Sequence, residues 1–316
     1  MAFLRPYSGL QPSKTVTQEH GNGWETKADM PTGRMGLSVV AANNKIYAMG
    51  GYFYDKNEEY DPATNTWSTK AALYSVLVYH AAAAYNDKIY IAGGVNAPSV
   101  IAIVVKEYNP ATNTWSNKAN MLVARDGLTL ASPGNGKLYA IGGEGSGFVA
   151  GTGRNDEYNI SGDSWANKTS APTARRYITS ATYNGKVYVL AGANNDTPVV
   201  KNEEYDPVTD TWATKADSPI GAGGGFSACE LFGRIFLMGS DKNFEYKAET
   251  NTWVARQAPP TSRTYGGIAP ANGKMHFIGG GSSSAKNELY TPSFIRSVNV
   301  PYKPKRGETI TQFNYF

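Results

Sequence analysis

Four arginines stand at one position of a repeated sequence unit. Arg34, Arg175 and Arg263 each lie three residues after a proline and eleven residues before the lysine of an alternating apolar segment, and Arg125 precedes its lysine by one residue more. A guanidinium group presents a planar fork of donors that suits carboxylates and other polar anions. The pattern predicts four cations around one opening of the fold, its mouth. There they are expected to bind an acidic or polyhydroxyl ligand and to contribute little to folding.

An alternative is open for these arginines. Each can cap a strand or pair with a glutamate, and Glu58, Glu107 and Glu203 are suitable partners. The other two units have Leu77 and Gly223 at the arginine position. Four further residues complete the candidate ligand site, and they are Tyr52, Tyr54, Tyr79 and His80.

Residues for catalysis or metal binding are few. His20, His80 and His276 show no spacing that indicates a shared metal site. His276 stands where other units have Tyr or Phe, and Cys229 lies among small residues, so both are expected to pack in the core. The sequence predicts no catalytic residue, no metal and no cofactor.

The six tryptophans mark the repeat. Each is followed three residues later by a basic residue, and successive tryptophans are 41 to 50 residues apart. Repeats of this length are typical of propeller blades. The tryptophans and their basic partners are Trp24 and Lys27, Trp67 and Lys70, Trp115 and Lys118, Trp165 and Lys168, Trp212 and Lys215, and Trp253 and Arg256.

Each unit predicts four antiparallel strands. Alternating segments such as Lys45-Ile46-Tyr47-Ala48-Met49 are bounded by Asn, Gly and Pro, which is a strand signal. The last unit, 260–290, has three strands and no tryptophan, whereas residues 23–27 form a strand without a unit. We therefore expect an all-β fold, a six-bladed β-propeller closed by an N-terminal strand that completes the last blade and removes an open edge.

The repeated sequence resembles a known family. An apolar strand that ends in Gly50-Gly51, followed by Glu59-Tyr60-Asp61-Pro62-Ala63-Thr64-Asn65-Thr66-Trp67, is similar to the kelch repeat. The resemblance implies one four-stranded blade per repeat, with the hairpin Tyr and Trp at the contacts between blades. It also implies that the arginine position opens the innermost strand, at the end where the loops after the diglycine emerge.

Composition limits the remaining possibilities. The chain has 316 residues, a net charge of +4 and one cysteine. Such a mild charge does not indicate a nucleic-acid partner, and neither a signal peptide nor a membrane span is evident. We expect an N-terminal arm (1–22), a propeller (23–290) and a C-terminal tail (291–316), in a protein that is cytoplasmic or assembled into a virion-like particle.

The sequence favours a non-catalytic kelch propeller that binds a protein or a glycan through its variable loops. The arm and tail are expected to anchor it, with possible neighbouring subunits as their partners. Two alternatives remain. One is a structural or receptor-binding subunit of a larger assembly such as a virion or tail. The other is a small sugar-converting enzyme, since the resemblance extends to sialic acid mutarotases, which share this fold.

Overall fold

The computed structural model describes residues 13–20, 23–96, 99–145, 151–221 and 224–301. These residues form two units, Trp24–Tyr290 and a smaller one that includes a pair of strands near the two chain ends. Within the described ranges the regular elements are all β-strands, and no helix is long and apolar enough to cross a membrane. The chain is therefore all-β, built from many small antiparallel sheets.

Thirty-one strands follow one another along the described residues. Those of the first half are β1 Ser13–His20, β2 Gly23–Thr26, β3 Ser38–Ala42, β4 Lys45–Met49, β5 Asn57–Asp61, β6 Thr66–Thr69, β7 Leu77–Val78, β8 Ala81–Tyr85, β9 Lys88–Ala92, β10 Val95–Asn96, β11 Val100–Ile101, β12 Val105–Asn109, β13 Thr114–Lys118, β14 Thr129–Ala131 and β15 Lys137–Ile141. Those of the second half are β16 Asn155–Asn159, β17 Ser164–Lys168, β18 Thr179–Tyr183, β19 Lys186–Leu190, β20 Ala193–Asn194, β21 Thr197–Pro198, β22 Asn202–Asp206, β23 Thr211–Thr214, β24 Ser227–Leu231, β25 Arg234–Gly239, β26 Lys242–Lys247, β27 Thr252–Ala255, β28 Gly267–Ala271, β29 Lys274–Ile278, β30 Asn287–Thr291 and β31 Phe294–Pro301.

The smaller unit contains one antiparallel pair, β1 with β31, in which Ser13 is opposite Pro301 and His20 is opposite Phe294. Residues 1–12 and 302–316 lie outside the described residues, and with them most of the predicted anchoring segments. Contact of the arm and tail with neighbouring subunits stays a prediction.

Six four-stranded antiparallel sheets make up the described part of the larger unit. The first is β3-β4-β5-β6, and the next four repeat its order as β8-β9-β12-β13, β14-β15-β16-β17, β18-β19-β22-β23 and β24-β25-β26-β27. In the sixth sheet, β28-β29-β30-β2, the fourth strand comes from the start of the chain. Short strands form two further small sheets: β11, β10 and β7 make one, and β20 pairs with β21 in the other. The apolar run from Val100 to Val105 is thus divided between a small hairpin and β12.

The hydrophobic core lies between the sheets. The second strand of each sheet is almost wholly buried, as Ile46, Tyr47, Ala48 and Met49 of β4 show, because successive side chains point to opposite faces and both faces are covered. Five of the six buried clusters among the described residues each join two sheets that follow one another. The remaining cluster of this set joins the sixth sheet to the first, with Ala269 and Ile278 beside Ile46 and Tyr60.

The first strands of the sheets are neighbours: β3 lies beside β8, β8 beside β14, β14 beside β18, β18 beside β24, β24 beside β28, and β28 beside β3. The diglycines make this approach possible. The Gly51 N–H donates to the Leu77 carbonyl of the second sheet at 2.8 Å, and the Gly280 N–H donates to the Arg34 carbonyl of the first at 2.9 Å. A Cβ on Gly279 would lie 2.8 Å from that Arg34 oxygen, so a side chain there would displace the backbone.

The tryptophan hairpin joins each sheet to its neighbour. Asn65, at φ 56°, accepts hydrogen bonds at 2.8 Å from the Tyr60 hydroxyl and from the Ala28 N–H. The Trp67 indole lies 5.1 Å from the Tyr60 ring and donates to the Ala28 carbonyl at 2.8 Å. The equivalent indole bonds are Trp115 to Ala71, Trp165 to Ala119, Trp212 to Thr169, Trp253 to Ala216 and Trp24 to Gln257. In the third sheet Asp163 replaces the asparagine and keeps both of its bonds.

Candidate functional site

The sheets have two different ends. At the hairpin end, short turns join first strands to second and third strands to fourth. At the loop-rich end, second strands run into third strands through longer segments, and each sheet passes to the next. Both kinds of connection emerge at the same end because consecutive strands are antiparallel. All the candidate ligand-binding residues lie at the loop-rich end.

The four arginines of the repeat are buried. Arg34 donates to the Glu58 carboxylate at 2.6 Å and to the Ala48 carbonyl at 2.7 Å, both within its own sheet. The other three make equivalent ion pairs: Arg125 with Asp156 at 2.7 Å, Arg175 with Glu203 at 2.6 Å and Arg263 with Glu288 at 2.5 Å. Burial lowers the pKa of each arginine, to about 10 for Arg125, and the paired carboxylate opposes that shift.

The expectation that these arginines are exposed cations at the mouth is wrong. Their exposed fractions are between 0 and 3%. The reason is that each guanidinium group lies inside its own sheet, where the third strand supplies a carboxylate and the second a carbonyl group. Pairing with Glu58 and Glu203, the alternative stated above, is observed. Glu107 pairs with Lys118 instead. Ligand binding by the arginines stays a prediction.

The sequence contains a signal for these pairs. In the second unit, Leu77 occupies the arginine position, and Lys106 occupies the third-strand position where the paired acid would stand. In the fifth sheet, the acid position is Phe244, and Gly223 lies outside the described residues. The acid is thus replaced in the two units that lack the arginine. A comparison of the units with one another identifies the partner without any structure.

Two residues after each arginine position, glycine and tyrosine alternate along the six units. The sequence of residues is Gly36, Tyr79, Gly127, Tyr177, Gly225 and Tyr265, and all six have φ between 51° and 81°. Backbone hydrogen bonds connect neighbours in this series. The Tyr79 N–H donates to Gly36 at 3.0 Å, the Gly127 N–H to Tyr79 at 3.0 Å, and the Gly36 N–H to Tyr265 at 2.9 Å.

Tyr79, Tyr177 and Tyr265, which we call the mouth tyrosines, converge. Their ring centroids are 5.1 Å apart for Tyr79 and Tyr177, 5.6 Å for Tyr79 and Tyr265, and 6.1 Å for Tyr177 and Tyr265. The glycines provide the space for them. A Cβ on Gly36 would lie 3.2 Å from the Tyr79 ring, and one on Gly127 would lie 3.0 Å from the Tyr177 ring. Three large rings therefore fit because every second unit has no side chain.

Charged groups border the Tyr177 side of the mouth. The Arg176 guanidinium lies 5.0 Å from the centre of the Tyr177 ring and pairs with Glu144 and Asp196. Asp126 is buried beside them, and burial together with the charge of Glu144 raises its pKa to about 6. Sequence reasoning did not single out Arg176, Glu144, Asp126 or Asp196, since each occurs in one unit alone.

A cavity of about 180 Å³ lies at the mouth tyrosines, and its walls are the opening residues of the first strands of all six sheets. A second cavity, of about 270 Å³, is lined by the following residues of the same strands, including Ala41, Ala84 and Pro270. The first strands therefore surround a narrow space with mainly small side chains.

The other predicted residues are separate from the mouth charges. Tyr52 contacts Tyr79 at 5.6 Å between ring centroids, and half-buried Tyr54 donates its N–H to Gly51. His80 lies inside the fold, and burial lowers its pKa to about 3. Cys229 is also buried, with a raised thiol pKa. Among the described residues, no group of three or more His, Cys, Asp or Glu side chains could hold a metal ion.

Several large apolar side chains are exposed on loops at the loop-rich end of the first and second sheets. Phe53 is 84% exposed and Val100 58%. We call the group the apolar sector, and its members are Phe53, Tyr74, Val100, Ile103, Leu122 and Val123. Backbone bonds hold its loops together, since the Met121 N–H donates to Ile103 and the Leu73 N–H to Asp55. Large exposed apolar groups at the hairpin end are dispersed, at Val208 and Phe232.

Comparisons with known proteins agree with this fold. A solved structure titled "Structure of YjhT" is similar, with a TM-score of 0.72 and 16% sequence identity over 85% of this chain and 96% of that one. At that identity the likeness concerns the fold alone. No curated protein sequence matches the chain significantly. A family model described as "Kelch motif" matches residues 33–73, 77–122 and 174–219, in the first, second and fourth sheets. The chain therefore contains three kelch motifs, one in each of these sheets.

Proposed function

We propose that the six sheets are the blades of a closed propeller, completed by β2, and that the protein is a non-catalytic module which binds a protein or a glycan through the loop-rich end. Closure is supported by contacts that pass from the sixth sheet to the first in the same form as between other sheets. The Gly280 bond to Arg34 repeats the Gly51 bond to Leu77, and the Trp67 bond to Ala28 repeats the Trp115 bond to Ala71.

The apolar sector carries the functional proposal. Single exposed apolar residues are normal on a protein surface, but a group of large ones on neighbouring loops marks an interaction site. The sector lies on segments that differ from sheet to sheet, held by a rigid scaffold, which is where recognition residues are usually found. The hairpin end has the same turns and hydrogen bonds in successive sheets and so offers little that is particular to one partner.

Binding can be tested by replacing sector residues. The double variant Phe53→Ser/Val100→Ser changes two exposed side chains without removing a buried contact, and Val208→Ser, 91% exposed at the hairpin end, is its matched control. Glycan arrays and protein capture from the native source identify ligands, whose affinity is then measured with purified components. We expect the double variant to bind about tenfold or more weakly, as for a central interface residue, and the control to bind normally. Unchanged affinity in the double variant, or a loss in the control, contradicts the proposal.

A further inference from the structure

The mouth tyrosines present an aromatic surface to solvent. All three residues are half-buried, and all three line the cavity at the mouth. The face of an aromatic ring carries negative potential and attracts cations within about 6 Å of its centre. One protein cation already uses this property, since Arg176 lies over Tyr177. Tyr79 and Tyr265 line the same cavity, and no cation of the described residues lies over either ring.

The charges beside the rings are predominantly acidic. One guanidinium, that of Arg176, faces three carboxyl groups, those of Glu144, Asp196 and Asp126. The four buried arginines of the repeat do not change this balance, because each is paired with its own carboxylate inside a sheet. The mouth is therefore acidic, although the whole chain has a net charge of +4.

Asp126 is an independent observation that points to a ligand. Its side chain is 4% exposed, and its Oδ1 has no hydrogen-bond partner among the described residues. A buried carboxylate oxygen without a donor is costly. The negative charge of Asp126 also raises the pKa of Tyr177, which places the carboxylate on the side of that ring. A hydrogen-bond donor of a ligand that reaches this oxygen removes that cost.

We propose that the mouth binds an organic cation, the ammonium or guanidinium group of a lysine or arginine side chain, which rests on Tyr79 and Tyr265 and is neutralised by Glu144 and Asp126. The tyrosine hydroxyls stay protonated at neutral pH, because burial raises the pKa of each of the three rings. They therefore add no negative charge of their own. The predicted anionic ligand has the opposite charge.

A basic side chain of a protein partner fits better than a free amine, because the mouth continues into the apolar sector. The Tyr79 ring contacts Tyr52 at 5.6 Å, and Tyr52 contacts Phe53 at 5.7 Å. An aromatic path thus leads from the cavity to the most exposed residue of the sector. A protein that covers the sector can insert one lysine or arginine into the mouth. This inference rests on the proposed binding function and names its partner class.

The charge preference can be measured with matched small probes on the whole protein. N-acetyl-arginine amide is compared with N-acetyl-citrulline amide, which has almost the same shape without the charge, and with N-acetyl-aspartate amide. Tyrosine ring resonances in NMR titrations report binding at the mouth. We expect the arginine probe to bind about tenfold more tightly than citrulline, the range for a desolvated cation on aromatic rings, and the aspartate probe to bind least. Equal binding of arginine and citrulline, or tighter binding of aspartate, overturns the proposal.

Charge variants give opposite predictions at neighbouring residues. Glu144→Gln should weaken arginine binding about three- to tenfold, and Arg176→Gln should strengthen it, because the first removes a negative charge and the second a competing cation. Glu249→Gln is the control, since this carboxylate also accepts from a tyrosine, Tyr183, at the hairpin end. Thermal unfolding of each variant confirms that it is folded. Weaker arginine binding in a folded Arg176→Gln variant contradicts a cation site.

Two further arms separate the possible failures. Glucosamine and N-acetylglucosamine form a pair that differs in charge as the arginine pair does, and glucosamine binding more tightly than the arginine probe overturns the assignment to a protein side chain. If the probes fail at the mouth while Phe53→Ser/Val100→Ser still loses its ligand, the cation site is wrong and the binding function stands. If the probes fail at the mouth and Phe53→Ser/Val100→Ser binds its ligand as tightly as the wild type does, the loop-rich end is not the recognition surface.

Discussion

The hairpin end and the loop-rich end of the sheets differ in how far they repeat. At the hairpin end, an indole bond to the preceding sheet occurs six times. A turn residue that accepts a hydrogen bond from the tyrosine hydroxyl occurs in five sheets. At the loop-rich end, the equivalent residues differ from unit to unit. The position directly after the glycines holds a different residue in each of four units, namely Tyr52, Val95, Glu144 and Ala193. A contact that every unit keeps is explained by folding, since each sheet must bury its faces against two neighbours.

The buried arginines show that the location of a residue is less informative than its repetition. They lie at the loop-rich end, but each recurs in the repeat together with its acidic partner. They form buried ion pairs within the sheets. The mouth tyrosines lie two residues after the arginine position and are half-buried. Arg176, Glu144 and Asp126 belong to single units and have no equivalent elsewhere. The comparison predicts that changes to repeated contacts reduce stability, whereas changes to the single-unit residues alter binding.

The largest effect is expected for Arg175→Ala. This variant leaves Glu203 buried without its cation, and breaking such a pair costs about 3 to 5 kcal/mol. Urea unfolding measures the loss of stability. The double variant Arg175→Leu/Glu203→Leu is the control, because replacing both partners by apolar residues is often neutral. The double variant should recover most of the loss. If Arg175→Ala is as stable as the wild type and loses ligand binding, the arginine is a recognition residue.

Much of the fold could be predicted from the sequence, because the pattern of each strand recurs in several units. The kelch motif is confirmed in three of the units. The prediction that failed concerned side-chain direction: four arginines at one register looked like a ring of cations, although the strands beside them carry matching acids. The acidic mouth could not be predicted, since Asp126, Glu144, Arg176 and Asp196 come from four different loops whose approach depends on tertiary packing.

A second break in the repeat tests the closure. Trp24 is a member of the sixth sheet but comes from the start of the chain, its ring lies 5.0 Å from Tyr290, and its indole donates to the Gln257 carbonyl at 3.0 Å. Trp24→Ala should therefore cost about 3 kcal/mol, like the truncation of any packed tryptophan. Trp115→Ala, inside the second sheet, is the matched control. Equal losses support the closed propeller, and a Trp24→Ala variant with an unchanged melting curve contradicts it.

The smallest expected effect comes from His276, where one unit departs from the repeat within the core. Other second strands have Tyr or Phe at this position, whereas His276 lies 5.1 Å from the Tyr60 ring and its Nδ1 is 2.9 Å from the Asn287 Oδ1. Burial lowers its pKa to about 4, while the hydrogen bond to Asn287 opposes the shift. The unfolded chain therefore takes up a proton below pH ~6.5, which the folded chain accepts only near pH 4.

The wild type consequently loses stability as the pH falls from 6.5 towards 4, by about 1.4 kcal/mol per pH unit from this group. His276→Phe restores the aromatic residue that the fifth sheet has as Phe236, and it removes this loss. Relative to the wild type, we expect the variant to gain about 2 kcal/mol when the pH is lowered from 7.5 to 5, measured by urea unfolding at both values. His80 remains in both proteins and cancels from the difference. A difference that does not change with pH would show that His276 already ionises in the folded protein, and the exception in the sixth sheet would then be a charged site within an otherwise structural repeat.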